Sequence, residues 1–178
     1  MINEAVEFAL KAHFGMVRKG TQTPYLFHPL EAMTIVSRLT DDEEVISAAV
    51  LHDTIEDTPV TYDNIKKAFG KRVADLVNSE SEDKTKTWEE RKTYTLETLV
   101  NESREVKIIA LGDKLSNMRS ISKDYSEIGD KLWQRFNVTD KSKQGWYYKG
   151  FVKALEELKD SYEWQELKRL TDKVFGEE

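Results

Sequence analysis

The chain has 178 residues, a net charge of −6 and no cysteine. This length supports one sizeable hydrophobic core, and the acidic balance argues against a broad nucleic-acid surface. Because cysteine is absent, a bound metal would depend on imidazole and carboxylate ligands, and few prolines and glycines interrupt a charged sequence typical of an all-α fold.

Helical periodicity accounts for most of the first forty residues. Asn3 is a candidate N-cap for a first helix that ends near Val17. Residues 18–29 contain two prolines and a glycine among polar residues and predict an ordered loop. Pro29 suits the first turn of a second helix, which continues through Leu39.

The third predicted helix is apolar on nearly every side. Thr40 or Asp41 can cap it, and residues 45–51 carry no charged side chain. An apolar surface all round indicates a helix that other helices surround. The polar pair His52-Asp53 stands at its end.

The remaining sequence predicts further helices separated by short polar segments. Residues 79–87 contain no apolar residue and predict a loop. Ser103 can cap a helix with an apolar stripe that contains Asp113. The other predicted helices cover residues 61–69, 71–78, 88–100, 140–162 and 164–175.

Two histidines and two aspartates could converge on one divalent cation; they are His28, His52, Asp53 and Asp113. Neighbouring helical residues point about 100° apart, so His52 and Asp53 can share an ion only in a groove beside their helix. Asp113 would be costly to bury unless paired or coordinated. Taken singly, each residue also fits a helix cap, a packed histidine or a surface ion pair. Mixed imidazole and carboxylate ligands suit manganese, iron or zinc better than calcium.

An acidic pair, Glu56-Asp57, follows about one helical turn after the proposed metal pair. These carboxylates could orient a metal-bound water or relay its proton, whereas the alternative is a solvated acidic turn.

Upstream, Arg18 and Lys19 stand near Tyr25 and could stack a nucleobase and hold its phosphate. The alternative for these cations is the decoration of a helix C-terminus.

Further candidate substrate contacts lie in the second half of the chain. Asn117 follows Asp113 by four residues and therefore shares its helix face. Lys84, Lys143 and Tyr147 offer phosphate and ring contacts, although a solvated lysine or a core aromatic residue is the alternative. We interpret the remaining histidine, His13, as structural.

Five segments together resemble the hydrolase domain of the Rel/Spo alarmone enzymes, which belong to the HD superfamily of metal-dependent phosphohydrolases. In chain order they read RKGTQTPYLFHP, AAVLHDTIEDT, FGKRVADLV, EDKT and KIIALGDKLSNMRS. The resemblance runs from about Ala9 to Met118, and the segments stand at spacings similar to the family's. The resemblance implies a single-domain all-α HD fold over residues 1–178, with a family-like core over about 1–125 and helices in 126–178 packing on it.

The resemblance also implies a reaction and a set of roles. The reaction is removal of pyrophosphate from the 3′ position of ppGpp or pppGpp, which gives GDP or GTP, with manganese as cofactor and iron or zinc less favoured. By resemblance, the metal ligands are His28, His52, Asp53 and Asp113, the catalytic pair is Glu56 and Asp57, and the nucleotide contacts include Arg18, Lys19, Tyr25, Lys84 and Asn117. The chain reads LGDKLSN where the family more often has LADRLHN.

Two alternatives stay open at this point. One is metal-dependent hydrolysis of another ribose-phosphorylated molecule, such as NADPH or a pyrophosphorylated tRNA end. The other is a non-catalytic module that binds a nucleotide or a partner protein, and a homodimer is compatible with either. The first residues lack the basic and apolar segments of a signal peptide, and no apolar run approaches a membrane span, so we expect a cytoplasmic protein without a membrane partner.

Overall fold

The computed structural model describes residues 1–176, and this part of the chain is all-α, as the sequence predicts. The α-helices, numbered in chain order, are α1 (Ile2–Ala12), α2 (Phe27–Val36), α3 (Glu43–Leu51), α4 (Thr54–Asp57), α5 (Tyr62–Phe69), α6 (Lys71–Ser79), α7 (Trp88–Leu99), α8 (Arg104–Ile128), α9 (Lys141–Ala154) and α10 (Tyr162–Phe175). Two 3₁₀ segments, Gly129–Arg135 and Glu156–Leu158, lie on either side of α9. None of the helices described is long and apolar enough to cross a lipid bilayer.

The helices group into two compact units. The first contains Met1–Glu82 and Ser103–Asp113, and the second contains Asp83–Glu102 and the described chain from Lys114 onward. Helix α8 contributes residues to both units because the boundary falls between Asp113 and Lys114. The single domain inferred from the sequence stays a prediction.

Helix α3 is the centre of the first unit. All its residues from Val45 to Leu51 are buried, and it packs against α1, α2 and α6. This confirms the prediction of a surrounded helix. Its N-cap is Asp42 rather than Thr40 or Asp41, because the Glu44 backbone N–H donates to Asp42 Oδ1 over 2.9 Å.

The ends of α1 and α2 come earlier than the sequence pattern predicts. Helix α1 begins at Ile2, so Asn3 is not its N-cap, and it ends at Ala12 rather than near Val17. Gly15 follows with a φ of 79°, a left-handed conformation that stops the helix and that glycine adopts without steric cost. Helix α2 ends at Val36, three residues before the predicted Leu39.

Gly112 allows α8 to approach α2 closely. A Cβ atom at this position would lie 2.7 Å from Val36 Cγ2 and 2.9 Å from the Ala32 carbonyl oxygen. The carbonyl belongs to helix backbone and cannot rotate away. The glycine in the LGDKLSN segment therefore has a packing reason, and it sits directly before Asp113.

The variant Gly112→Ala is expected to lower the free energy of unfolding by about 1–3 kcal/mol, the usual cost of overpacking a close-packed interior. Gly150→Ala is the matched control, because its Cβ would meet the flexible end of the Leu96 side chain rather than backbone. Urea unfolding of both variants measures the difference. A Gly112→Ala protein as stable as wild type would contradict this close approach of α8 to α2.

In the second unit, α9 packs against α7 and α10. Helix α7 begins with a capping box, in which the Thr87 side chain accepts from the Glu90 N–H and the Glu90 carboxylate accepts from the Thr87 N–H. The predicted helix over 140–162 is shorter and ends at Ala154. Ser161 then caps α10, since its Oγ accepts the Trp164 N–H over 3.2 Å.

Candidate metal centre and active site

His52 and Asp53 occupy the junction between α3 and α4, where His52 ends one helix and Asp53 precedes the next. The His52 side chain is 1% exposed. Its Nδ1–H donates to the Ala49 carbonyl over 2.8 Å. Because a carbonyl can only accept, this bond assigns the Nδ1 proton, and Nε2 is the ring nitrogen left for a ligand.

The other two members of the predicted cluster come from α2 and α8. His28 is the second residue of α2, and its Nε2 lies 3.4 Å from Asp53 Oδ2 and 3.2 Å from Asp113 Oδ1. His52 Nε2 lies 3.0 Å from Asp53 Oδ2 and 3.7 Å from Asp113 Oδ1. One ligand atom each from His28, His52 and Asp113 lies within 4.8 Å of the others. The structure thus brings all four predicted residues together inside the first unit.

These distances fit a single divalent ion. Donor atoms about 2.0–2.2 Å from one ion lie roughly 3.0–3.5 Å from each other. The buried Nε2 of His52 has no hydrogen-bond partner of acceptable geometry among the described residues, although Asp53 Oδ2 is near. A nitrogen lone pair facing carboxylate oxygens needs a cation or a proton between them, so the donor set suits a metal.

The electrostatics of the cluster also favour positive charge. Burial lowers the pKa of His52, but the Asp53 and Asp113 carboxylates outweigh burial, and the pKa lies well above its usual range. Burial raises the pKa of Asp53, but His52 and His28 together reverse this and hold it well below its usual range. Both shifts have one cause, which is the close approach of two carboxylates to two imidazoles.

The predicted catalytic pair lies on α4, the one-turn helix that starts directly after Asp53. Glu56 is partly buried and Asp57 is exposed. Asp57 accepts a hydrogen bond from the Tyr25 hydroxyl over 3.2 Å. The same helix that positions Asp53 therefore carries both acidic residues within one turn of the cluster.

Arg18, Lys19 and Tyr25 lie on a hairpin, where the sequence pattern predicts only a loop. Val17 pairs with Pro24 in an isolated antiparallel bridge, and the Arg18 N–H donates to the Thr23 carbonyl over 2.9 Å. Lys19 is exposed in the turn. The Arg18 guanidinium lies 5.6 Å from the centroid of the Tyr25 ring, so the predicted cation and aromatic pair is formed.

His13 is the residue of this region that no sequence pattern singles out. It is 2% exposed, and neither ring nitrogen has a hydrogen-bond partner in the described chain. Its ring centroid lies 5.0 Å from that of Tyr25. Burial lowers the pKa of His13, so the ring is uncharged near neutral pH. It packs against Tyr25 as a neutral aromatic ring.

The remaining predicted substrate residues belong to the second unit. Lys84 is exposed before α7, and Asn117 lies one turn after Asp113 on α8. Lys143 forms an ion pair with Glu89. Tyr147 is buried and packs edge-on against Trp88, with centroids 5.9 Å apart.

A model of the HD domain matches residues 5–136 of the chain. The chain belongs to the HD domain family. The matched span includes the whole histidine and aspartate cluster of this HD domain protein, together with the hairpin and α4. This confirms the superfamily that the sequence segments indicated.

Relatives of the HD domain protein carry the name of an alarmone hydrolase. The chain is 38% identical over 126 residues to guanosine-3′,5′-bis(diphosphate) 3′-pyrophosphohydrolase MESH1 of Xenopus tropicalis. The alignment covers 69% of this chain and 70% of the Xenopus protein. The chain is also 35% identical over 127 residues to the bifunctional (p)ppGpp synthase/hydrolase SpoT of Escherichia coli K12. That alignment covers 67% of this chain and 18% of SpoT.

A solved structure extends the likeness to the fold of the HD domain protein. That structure is described as "A metazoan ortholog of SpoT hydrolyzes ppGpp and plays a role in starvation responses". It superposes with a TM-score of 0.80 at 28% identity, with 95% of this chain and 92% of that chain covered. The HD domain protein therefore lies in the branch of the family that contains the alarmone hydrolases.

Proposed function

We propose that the chain is a metal-dependent hydrolase that removes pyrophosphate from the 3′ position of ppGpp or pppGpp and leaves GDP or GTP. The observation that carries this proposal is the convergence of two imidazoles and two carboxylates directly before the acidic pair on α4. Support for the substrate comes from relatives at 37–38% identity that are named for this reaction. The reaction class follows from the site, and the substrate follows from the relatives.

We propose Mn²⁺ as the cofactor, held by His28, His52, Asp53 and Asp113. The two buried nitrogen donors and two carboxylate donors suit a divalent transition metal. When bound, such an ion supplies Lewis acidity toward a phosphoryl oxygen and lowers the pKa of an attacking water toward about 7. Iron and zinc are compatible with the same ligands.

The protein groups then have separate tasks. Glu56 and Asp57 orient the water and accept its proton as the water oxygen bonds to phosphorus. The bond between that phosphorus and the ribose 3′ oxygen breaks, and the 3′ oxygen takes up the proton that the acidic pair accepted from the water, so nucleotide and pyrophosphate leave. The Tyr25 hydroxyl approaches Asp57 Oδ2 at 3.2 Å and therefore lies beside this acidic pair.

The nucleotide contacts are assigned by charge and shape. Arg18 and Lys19 hold the guanine and a neighbouring phosphate, since a planar guanidinium stacks and an ammonium pairs as a point charge. Lys84, Asn117, Lys143 and Tyr147 stay nucleotide contacts predicted from the sequence. A homodimer and a cytoplasmic location stay predictions from the sequence.

Purified protein with Mn²⁺ is expected to convert ppGpp to GDP and pyrophosphate, and EDTA should stop the reaction. Parallel assays with NADPH and GDP, with products separated by ion-exchange chromatography, test selectivity. GDP is the control because it lacks a 3′ diphosphate. Turnover of NADPH alone would assign a ribose phosphate monoester as substrate, because NADPH carries its additional phosphate on a 2′ oxygen. Metal binding without turnover of any compound would indicate a binding module.

A further inference from the structure

The Tyr25 hydroxyl lies between two carboxylates with different proposed tasks. It donates to Asp53 Oδ2 over 2.6 Å and approaches Asp57 Oδ2 at 3.2 Å. A phenol has one proton, so the shorter contact to Asp53 is the main bond. The same Oδ2 atom faces the Nε2 atoms of His28 and His52. The hydroxyl therefore donates a hydrogen bond to Asp53 Oδ2, the oxygen that faces the proposed ion position.

Tyr25 is held on several sides, which makes its hydroxyl a fixed donor. Its backbone N–H donates to the Met16 carbonyl over 2.9 Å, and its own carbonyl accepts from the His28 N–H over 3.0 Å. The His13 ring packs 5.0 Å away, and the His28 ring meets it edge-on at 5.9 Å. An unperturbed phenol has a pKa of about 10, so the hydroxyl keeps its proton near neutral pH and can donate.

We propose that Tyr25 is a positioning residue, whose hydroxyl fixes the metal-binding oxygen of Asp53 and keeps Asp57 beside it. This inference rests on the proposed function and gives Tyr25 a task different from nucleotide contact. A carboxylate that binds a metal is oriented by the hydrogen bonds it accepts, and loss of such a bond typically costs about 10- to 100-fold in metal affinity or activity.

The test is Tyr25→Phe, which removes the hydroxyl and keeps the ring. Mn²⁺ affinity is measured by electron paramagnetic resonance of the free ion, without nucleotide, and kcat and KM are measured with ppGpp. Mn²⁺ affinity, kcat or both are expected to fall about 10- to 100-fold, with KM changed by less than about threefold. Circular dichroism and urea unfolding check that the variant is folded.

Tyr62→Phe is the matched control. The Tyr62 hydroxyl donates to Asp75 Oδ1 over 2.7 Å on the surface of the same unit, so this variant also loses one bond between a tyrosine and an aspartate. It should match wild type in Mn²⁺ affinity and kcat. A Tyr25→Phe protein with a raised KM but unchanged Mn²⁺ affinity and kcat would overturn the proposal and make Tyr25 a nucleotide contact.

The Mn²⁺ measurement separates this inference from the proposed function. If wild type binds Mn²⁺ without hydrolysing ppGpp, the proposed reaction fails, and a Tyr25→Phe loss of Mn²⁺ affinity still supports the positioning role. If wild type hydrolyses ppGpp and Tyr25→Phe equals it in all three quantities, only the positioning role fails. A wild-type protein that binds no Mn²⁺ overturns both.

Discussion

Asp53→Ala is expected to remove metal binding and turnover together. The Asp53 oxygen nearest the cluster lies 3.0 Å from His52 Nε2 and 3.4 Å from His28 Nε2, so it faces both nitrogen donors. Without it, the ion would lose one of its two carboxylate charges, and Asp113 alone would balance it. We expect Mn²⁺ affinity to fall by more than about 100-fold, and kcat/KM with ppGpp by about 10³-fold or more, because the Lewis acid supplies several kcal/mol.

Electron paramagnetic resonance of free Mn²⁺ measures the affinity, and product chromatography measures the turnover. Asp63→Ala is the matched control, because Asp63 is an exposed aspartate in the first turn of α5. It should behave as wild type in both assays. An Asp53→Ala protein that keeps Mn²⁺ affinity and turnover would exclude Asp53 as a ligand.

Glu56→Gln is expected to spare the metal and slow the chemistry. Glutamine keeps the size of the side chain and one acceptor oxygen but cannot accept a proton from water. General-base catalysis contributes about 10²- to 10⁴-fold to rates, so kcat should fall within that range. Mn²⁺ affinity should stay at the wild-type value, since Glu56 is outside the set of four ligands.

The decisive result of the Glu56→Gln experiment is a lowered kcat with an unchanged Mn²⁺ affinity. Glu43→Gln serves as the control, because Glu43 is an exposed glutamate at the start of α3. An unchanged kcat would remove Glu56 from the mechanism. A large loss of Mn²⁺ affinity would instead make Glu56 part of the metal site.

Much of the histidine and aspartate cluster could be predicted because its polar residues stand in or beside apolar runs of the sequence. The apolar run before His52 predicted a surrounded helix, and α3 is buried from Val45 to Leu51. Asp113 stands in a similarly apolar run, and its residue is 6% exposed. A buried charged group needs a partner. This requirement suggested that Asp113 lies close to histidines that are far from it in the sequence.

The sequence could not predict the contacts that Tyr25 and His13 make. The hydrogen bond from Tyr25 to Asp53 joins residues 28 positions apart, and no periodicity encodes such a pairing. His13 was interpreted as structural, and only its position beside the Tyr25 ring relates it to the site.

Some boundaries were missed although the sequence contained the signal. Gly15 marks the end of α1 through its positive φ, and a glycine after an apolar stripe is a common stop. Ser161 caps α10, and a serine before an amphipathic run is a common start. In both places the apolar pattern continued past the true end of the helix, so periodicity alone extended the prediction.

The bond from His52 Nδ1 to the Ala49 carbonyl also governs how the cluster exchanges ions with solvent. With Nδ1 already engaged, His52 has one atom, Nε2, that can take either a proton or a metal. The Asp53 and Asp113 carboxylates raise the pKa of His52 and so favour a proton on this ring. Because a metal ligand must be deprotonated, a proton and a metal ion would compete for Nε2, and acidification is expected to weaken metal binding.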